Sequence, residues 1–551
     1  TNAITIQEIY DRNYQFARPP DRPTLNAVPG DGQVTLFWDG VAEQSVDPVL
    51  GDDFQGYRIF KSTDPFFRDV ETVTDAFGND ALRVPFRQFD RDDGIEGLYV
   101  TTDPRVRGVP FDLGDDTGLR YSLVDSLVNN GQRYYYAVTA YDSGSPDFFP
   151  AENDIPSSIR EDGTFFTGSN VVEVIPNAPA AGFVQGEIVG DVEQVAGPAT
   201  GEAFAEVLDP RMLMEGAQYT VVFSDEEPSA DSFFVQRGGE VIASNQVGDA
   251  ASTVFDGVRL IFNNDQTRVF EDSTGWVNPG DLIDTFEGEI NVVDWRYTGM
   301  AVPYDYEIQF ADEAVGQAIG GFVLGIPPFG PTAVAGPTNF TVRNTTLDRP
   351  AEHVFFEPSS ATRNGFFDAP GELIFIYETI EGIEEGERFP TYIVRARQNP
   401  DGTFGAFPSS GDVYNLVTRK PFSIRDRLAL STVSSKVDDT LAQDQLDRIR
   451  VVPNPYVAAA SWERALPPTV TSGRGERRID FIHLPAGSTV RVFNVRGALI
   501  RELQHDSDIA DGTVSWDLRT REGLEVAYGI YYYHVEAPGV GERTGQLALI
   551  K

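Results

Sequence analysis

The chain contains no cysteine in 551 residues, so no disulfide braces it and no thiolate serves as nucleophile or metal ligand. Small secreted domains rely on such braces, but domains of about 100–200 residues bury enough surface to do without them. The absence is therefore compatible with export. Histidine is nearly as scarce: His353, His483, His505 and His534 are the only 4, and no two have the close spacing of zinc ligands. There is no Gly-x-Ser-x-Gly elbow, no Gly-rich loop closing on Gly-Lys and no His-Glu-x-x-His. Support for nucleophilic hydrolysis, phosphoryl transfer and zinc chemistry falls away with them. A glycosidase carboxylate pair needs no such motif, but nothing in the sequence singles one out. No apolar run approaches the roughly 20 residues that span a bilayer, and Thr1 opens the chain without a charged, then apolar, leader.

What the chain has in excess is acid and turn-and-strand chemistry. Its 85 acidic against 43 basic side chains give a net charge of −42. Such a surface repels nucleic acid and anionic lipid, which are bound mainly through Lys and Arg. It suits divalent cations, cationic partners or a salty medium, and serves equally as a solubility device. With 52 Gly, 36 Pro, 38 Phe and 21 Tyr, the composition favours strands and turns over helices. The length accommodates about three to five domains.

Residues 1–22 form an arm that ends in a stiff Pro-rich linker, Ala17 to Pro23. Within the arm, Ala3 to Tyr10 has strand propensity and no neighbouring partner strand. An orphan strand can complete another subunit's sheet, which makes Ile4, Ile6, Ile9 and Tyr10 candidate assembly residues; packing on their own chain is the competing reading.

Residues 23–178 carry alternating runs, Val34 to Asp39, Phe54 to Ser62 and Gly131 to Tyr141. The alternation turns Trp38, Tyr57, Ile59, Tyr134, Tyr136 and Val138 inward. These runs resemble a fibronectin type III domain, with Trp38 as its core tryptophan and Tyr134 as its corner tyrosine. About seventy residues, Thr63 to Gln132, separate the second run from the third. They are rich in Asp, Gly and Asn, the chemistry Ca²⁺ requires, although no EF-hand pattern is present. Asp112, Asp115 and Asp116, around the turn at Gly114, are the first choice of ligands. A solvated acidic loop is the alternative, and calcium is the only cofactor indicated.

After the small-residue linker Asn177 to Gly182, residues 183–426 show strand patterns expected to build one or two sandwiches. One amphipathic helix is expected over Glu202 to Glu215, with Phe204, Val207, Leu208 and Met212 on one side. The acidic run Glu378, Glu381, Glu384, Glu385 and Glu387 reads as a solvated loop, and the apolar Gly/Pro loop Gly321 to Gly336 as a buried crossover. Trp276 and Trp295 are the rings that would stack on sugars if the chain bound surface polysaccharide. Residues 427–450 form a connector with a short helix from Leu441.

Residues 451–551 read as a last sandwich. Val490, Val492 and Val495 precede an Arg496-Gly497 turn, Tyr531, Tyr533 and Val535 alternate, as do Leu547 and Leu549, and Trp516 plugs the core. The order Val-Arg-Val-Phe-Asn-Val-Arg-Gly, Trp-Asp-Leu, Gly-Ile-Tyr-Tyr-Tyr and Gly-Gln-Leu-Ala-Leu-Ile-Lys, led in by Val451-Val452-Pro453-Asn454-Pro455-Tyr456, closely resembles the C-terminal sorting domain of type IX secretion cargo and its relative, the FlgD-type immunoglobulin-like domain. The resemblance implies an immunoglobulin-like fold, a removed leader, passage through the type IX secretion machinery and delivery to the cell surface or medium. Such domains are often cleaved after export; because this chain runs on to Lys551, a retained module is expected.

The sequence thus describes an all-β protein of tandem antiparallel β-sandwiches, fibronectin III-like and Ig-like, with few short helices. The expected function is that of a secreted or cell-surface, non-enzymatic structural protein that partners itself, as a filament or surface-layer subunit, without membrane insertion. A carbohydrate-binding adhesin is the alternative, and a secreted glycoside hydrolase a more remote one.

Overall fold

The structure, a computed structural model, describes residues 17–74, 80–99, 111–146, 148–159, 165–225, 229–289, 292–294, 297–322, 332–358, 363–379, 388–457, 460, 463, 477–506 and 508–550. Candidate assembly residues Ile4, Ile6, Ile9 and Tyr10, together with Trp295, lie outside them.

The first unit opens with β1 (Leu25–Gly30), β2 (Gln33–Trp38), β3 (Phe54–Ser62), β4 (Arg87–Asp90), β5 (Ser122–Asp125), β6 (Tyr134–Asp142) and β7 (Val171–Val174). They form two facing sheets, β1-β2-β5 and β7-β6-β3-β4, with all pairings antiparallel. Trp38, Tyr57, Ile59, Tyr134, Tyr136 and Val138 meet in one core. The Tyr134 hydroxyl accepts a hydrogen bond from the Asn129 amide at 3.0 Å. Both faces of β6 are buried, however. The inserted residues cover its second face, seating Phe60, Phe67, Tyr135 and Ala137 in one cluster and Phe111, Leu113 and Tyr141 in another. Arg58 pins this layer. Its guanidinium lies 4.0 Å from the Phe111 ring centre and 4.8 Å from that of Tyr141, pairs with Glu152 at 3.0 Å, and donates to the Asp112 carbonyl.

A second core begins with β8 (Glu187–Ile188), β9 (Glu193–Ala196), β10 (Glu202–Val207), β11 (Ala217–Phe223), β12 (Ser232–Arg237), β13 (Glu240–Gln246) and β14 (Val258–Asn263). The expected helix at Glu202 is instead strand β10, paired with β14 from Glu202↔Asn263 to Val207↔Val258. Two features explain the correction: Ala203, Ala205 and Val207 alternate with period two, and Pro210 interrupts any helix running to Glu215. Phe204 and Met212, expected to pack, stand 53% and 57% exposed.

A third core lies between β15 (Gly275–Trp276), β16 (Asp284–Glu289), β17 (Tyr306–Phe310), β18 (Phe340–Asn344), β19 (Arg349–Pro350), β20 (Glu352–Phe356), β21 (Leu373–Thr379), β22 (Arg388–Arg397) and β23 (Val413–Leu416). Its sheets run β15-β23-β17-β18-β19 and β16-β22-β21-β20. Glu378, expected in a solvated loop, is 4% exposed on β21. Its carboxylate accepts from Asn344 Nδ2 at 2.6 Å and pairs with Arg349, which is how a buried charge is made tolerable; the other acids of that run lie outside the described residues. Of the Gly/Pro loop, Gly321–Phe322 and Thr332–Ala333 pair with each other, and the intervening residues are not described.

The chain then returns to the second core through β24 (Arg427–Val433), which lies in the stretch expected as connector. It pairs with β11 and with both β8 and β9, so the sheet runs β8/β9-β24-β11-β12-β13. A helix, α1 (Asp439–Gln445), follows, capped by Asp438, whose carboxylate accepts from the Thr440 and Leu441 amides.

The last unit comprises β25 (Arg450–Val452), β26 (Tyr456–Val457), β27 (Ile479–Ile482), β28 (Thr489–Asn494), β29 (Leu499–Gln504), β30 (Val514–Trp516), β31 (Gly529–Ala537) and β32 (Gly541–Ile550). Sheets β25-β27-β30 and β26-β32-β31-β28-β29 enclose Trp516, Tyr531, Tyr533, Val535, Leu547 and Leu549. This unit does not hang free. The linker residues Ala178, Ala180 and Ala181 are buried, with the Ala180 amide bonded to the Ile509 carbonyl at 3.0 Å and the Gly512 amide to that of Ala178 at 2.8 Å. A Cβ on Gly512 would meet the Pro179 carbonyl at 2.5 Å, so the small residues allow this close approach. Arg478 also donates to the Gly131 carbonyl at 2.6 Å. Among the described residues the structure is thus almost wholly β, arranged as chiefly antiparallel sheets in tandem, with β26 and β32 paired in parallel, as the composition implies.

Candidate assembly surfaces

The arm enters the described chain at a pinned root. The Arg18 amide donates to Asp47 at 2.7 Å, Asn153 Nδ2 donates to the Pro20 carbonyl at 2.6 Å, and Arg22 pairs with Asp154. Beneath the root lie the carboxylates of Asp47, Asp53 and Asp142. Burial acts to raise Asp47, yet the amides of Arg18, Leu50 and Val49 bring it below the ordinary carboxylate value. Asp53 is pushed up to about 6 by burial and by the charge of Asp47, and its Oδ2 is buried without a hydrogen-bond partner. Asp142, 2% exposed, is pushed up to about 7 by burial and, further down, by Asp53, against the help of the Ala151 amide.

The central sandwich is open along one edge. Strand β10 has β14 as its one paired neighbour among the described residues, so a two-stranded layer faces the larger sheet. Beside β10, between it and the bent edge strand β8–β9, lies a groove of about 460 Å³ lined by Ile188, Val192, Ala203, Phe204, Ala205 and Leu428. Val189, just after β8, Val195 on β9 and Phe204 on β10 are 52%, 57% and 53% exposed. Ala203 and Ala205 are partly buried against the core, and no strand among the described residues closes their outer side. The outer face of β10 is occupied: Ser122 Oγ donates to Glu206 at 3.0 Å.

A second apolar surface crosses the last unit. Val457 pairs with Ile550, Ala548 with Ile530, and Phe493 with Tyr532; Val457, Ile530, Tyr532 and Ile550 are each about half exposed, at 51%, 50%, 48% and 47%. A stripe of this kind on a sheet face is a contact surface.

The three aspartates chosen as calcium ligands serve the insertion's loop in different ways. Asp112 is exposed and accepts from the Gly114 amide at 3.2 Å; Asp116, at φ +53°, accepts from Gly94 at 3.0 Å; Asp115 is exposed. The carboxylate at the centre of this turn is Asp90, fully buried, which accepts from the Asp116 amide at 2.7 Å and from Thr117 Oγ1 at 2.6 Å. The sequence alone did not single it out from the other aspartates of the insertion. Among the described residues no group of three or more His, Asp or Glu is arranged to hold a metal ion.

Trp276 is half-buried. Its ring packs on the third core, 5.0 Å from Tyr414 and 5.5 Å from Phe310, and its indole N–H donates to the Ile283 carbonyl at 2.8 Å. His353 is buried, which pulls it down to about 4, with Nε2 3.2 Å from Thr338 Oγ1; His505 holds the Asp511 carbonyl 2.6 Å from Nε2. No helix of the described residues is long and apolar enough to cross a membrane.

No family model matches the chain, and no curated protein does. Among solved structures it is similar to PorZ, an essential surface component of the type-IX secretion system of Porphyromonas gingivalis, at TM-score 0.17 and 11% identity over 98% of this chain and 87% of that one. The adhesin domain of Epf from Streptococcus pyogenes gives 0.13 and 10% over 66% and 98%, and the BSP domain of a biofilm associated protein 0.11 and 8% over 98% and 82%. At these scores none is a superposition of folds, and the functional reading rests on this chain's own surfaces.

Proposed function

We propose that this chain is an exported, non-enzymatic building block of an extracellular or cell-surface assembly, whose copies join by strand addition, with Ile4, Ile6, Ile9 and Tyr10 as the donor. The observation that carries the reading is the pinned root. Three contacts, at Arg18, Pro20 and Arg22, fix where the arm leaves the body, and Ala3 to Tyr10 ahead of it have the composition of a strand. A leader segment merely trailing from a domain needs no such anchorage.

Two further features support the reading. The sheet orders β1-β2-β5 and β7-β6-β3-β4 fit a fibronectin type III-like first unit, the kind of module that separates and orients surface proteins. The last unit is tied into the linker at Ala178 and Ala180, which favours a sorting-type domain that stays with the body after export through type IX machinery.

Removing residues 1–16 tests the proposal. Electron microscopy of the full chain is expected to show polymers, and the shortened chain to remain as single particles. Polymers that survive the deletion disprove the donor role.

A further inference from the structure

We infer that the groove beside β10 is the acceptor for the arm of a second copy of this chain, an assignment that rests on the strand-addition reading above. The groove is the place where a sandwich layer is short of a strand. Strand β10 carries unpaired backbone groups along its outer edge, since its one paired neighbour among the described residues is β14. The side chains that should be sealed there, Ile188, Val192, Ala203 and Ala205, pack only in part against the core. A strand laid along β10 would take up those backbone groups and cover these side chains in one step, which is how strand addition gains its stability.

The arm has matching features. Ile4 and Ile6 are two residues apart and point to one side when extended, while Ala203 and Ala205 are two apart on the facing strand and small. Their missing bulk leaves the groove's volume of about 460 Å³ open to branched side chains. Thr5 and Gln7 would face solvent beside Phe204. Sixteen residues ahead of the root extend to about 50 Å, ample for reaching a neighbour.

Two other edges are guarded. Strand β16 carries Asp284, Glu287 and Glu289 within its six residues, and β13 is joined to β12 through a register shift after Val235. Charge and bulges are devices that keep edges from pairing. On β10, Glu206 is already engaged by Ser122 and lies near Arg259 at 3.9 Å.

The absence of native cysteine makes the test clean. Full-length chains carrying Thr5→Cys or Gln7→Cys are mixed with chains carrying Phe204→Cys, and under mild oxidation the disulfides are mapped by peptide mass spectrometry. Val241→Cys, on the exposed edge β13, provides the comparison at a site of similar exposure, 56%. The expected result is an arm-to-204 linkage between different molecules, and no arm-to-241 linkage when Val241→Cys replaces Phe204→Cys. Polymers that form with arm-to-241 linkage, or with none at 204, overturn the groove and leave strand addition standing. An arm-to-204 bond found only within one molecule, in a chain carrying both cysteines, overturns the second copy as donor. A full-length chain that stays monomeric overturns the assembly reading itself.

Discussion

Replacing Arg58 with alanine is expected to destabilise the first unit by about 3–5 kcal/mol, the usual cost of removing one partner of a buried ion pair. The side chain is 3% exposed and its partner Glu152 18%, so the carboxylate left behind cannot recover its hydration. Two ring contacts and the bond to the Asp112 carbonyl go with it. These interactions hold the acidic insertion against the outer face of β6, a face that an ordinary sandwich strand leaves to solvent. The consequence is local: backbone amides of Tyr134–Asp142 should exchange with deuterium about a hundredfold or more faster than in the parent. Arg58→Lys keeps the charge but not the planar fork and its ring stacking, so it should recover only part of the protection. Unchanged exchange in the alanine variant would mean that the insertion is held by its apolar clusters alone.

Lowering the pH from 8 to 5 is expected to raise the melting temperature. Asp142 and Glu372 are pushed up to about 7 and Asp53 to about 6, each first by burial. Negative neighbours add to the effect: Asp53 and Asp47 on Asp142, Asp47 and Asp52 on Asp53, Asp368 and Glu357 on Glu372. A carboxyl whose folded pKa exceeds its unfolded value binds its proton more tightly in the fold. Its stabilisation is therefore complete below about pH 4 and is lost as pH rises through 6 to 7. Asp47, Asp64 and Asp125 are shifted downward and act in the opposite sense as pH falls below about 4, and His353, which burial pulls down to about 4, does so already as pH falls below about 6.5, offsetting part of the gain. Between 5 and 8 the raised groups prevail, and they contribute on the order of a few kcal/mol. Asp142→Asn retains an oxygen for the Gly144 and Ala151 amides, which the aspartate now holds at 3.1 and 2.8 Å. It should raise the melting temperature at pH 8 and flatten the pH profile. A protein most stable at pH 8, with or without that substitution, would show that these carboxylates are not held away from solvent as the geometry has them.

Much of the architecture was legible because β-strands announce themselves locally. Trp38, Tyr57 and Ile59 alternate in sequence and meet in one core, and the hairpin around Gly497, at φ +77°, follows from its turn residues. What was illegible came from partners distant in sequence. Phe204, Val207, Leu208 and Met212 mimic a helical stripe that outweighed the alternation of Ala203, Ala205 and Val207 and the break at Pro210, and pairing with β14, over fifty residues on, decides between the two patterns. Glu378 looks like one more acid in a solvated run until Asn344 and Arg349 are brought to it. Strand β24, in the stretch read as connector, carries a local signal that was passed over, Leu428, Leu430 and Thr432 alternating inward, and the sheet it enters makes that signal plain.

The candidate surfaces were less visible still. The arm stood out as an orphan strand, but the open edge of β10 is a property of the sheet order and has no local motif. In the insertion, the plain abundance of Asp drew attention to Asp112, Asp115 and Asp116, while the carboxylate that organises the turn is Asp90, identified by its burial and by the amides that converge on it.

The most direct measurement is calorimetric titration of a synthetic peptide of residues 1–16 into the chain from which those residues have been removed. Strand addition requires saturable binding at one peptide per chain, weakened when Ile4 and Ile6 of the peptide are replaced by aspartate. Heats no greater than dilution, or binding indifferent to those two isoleucines, would contradict it.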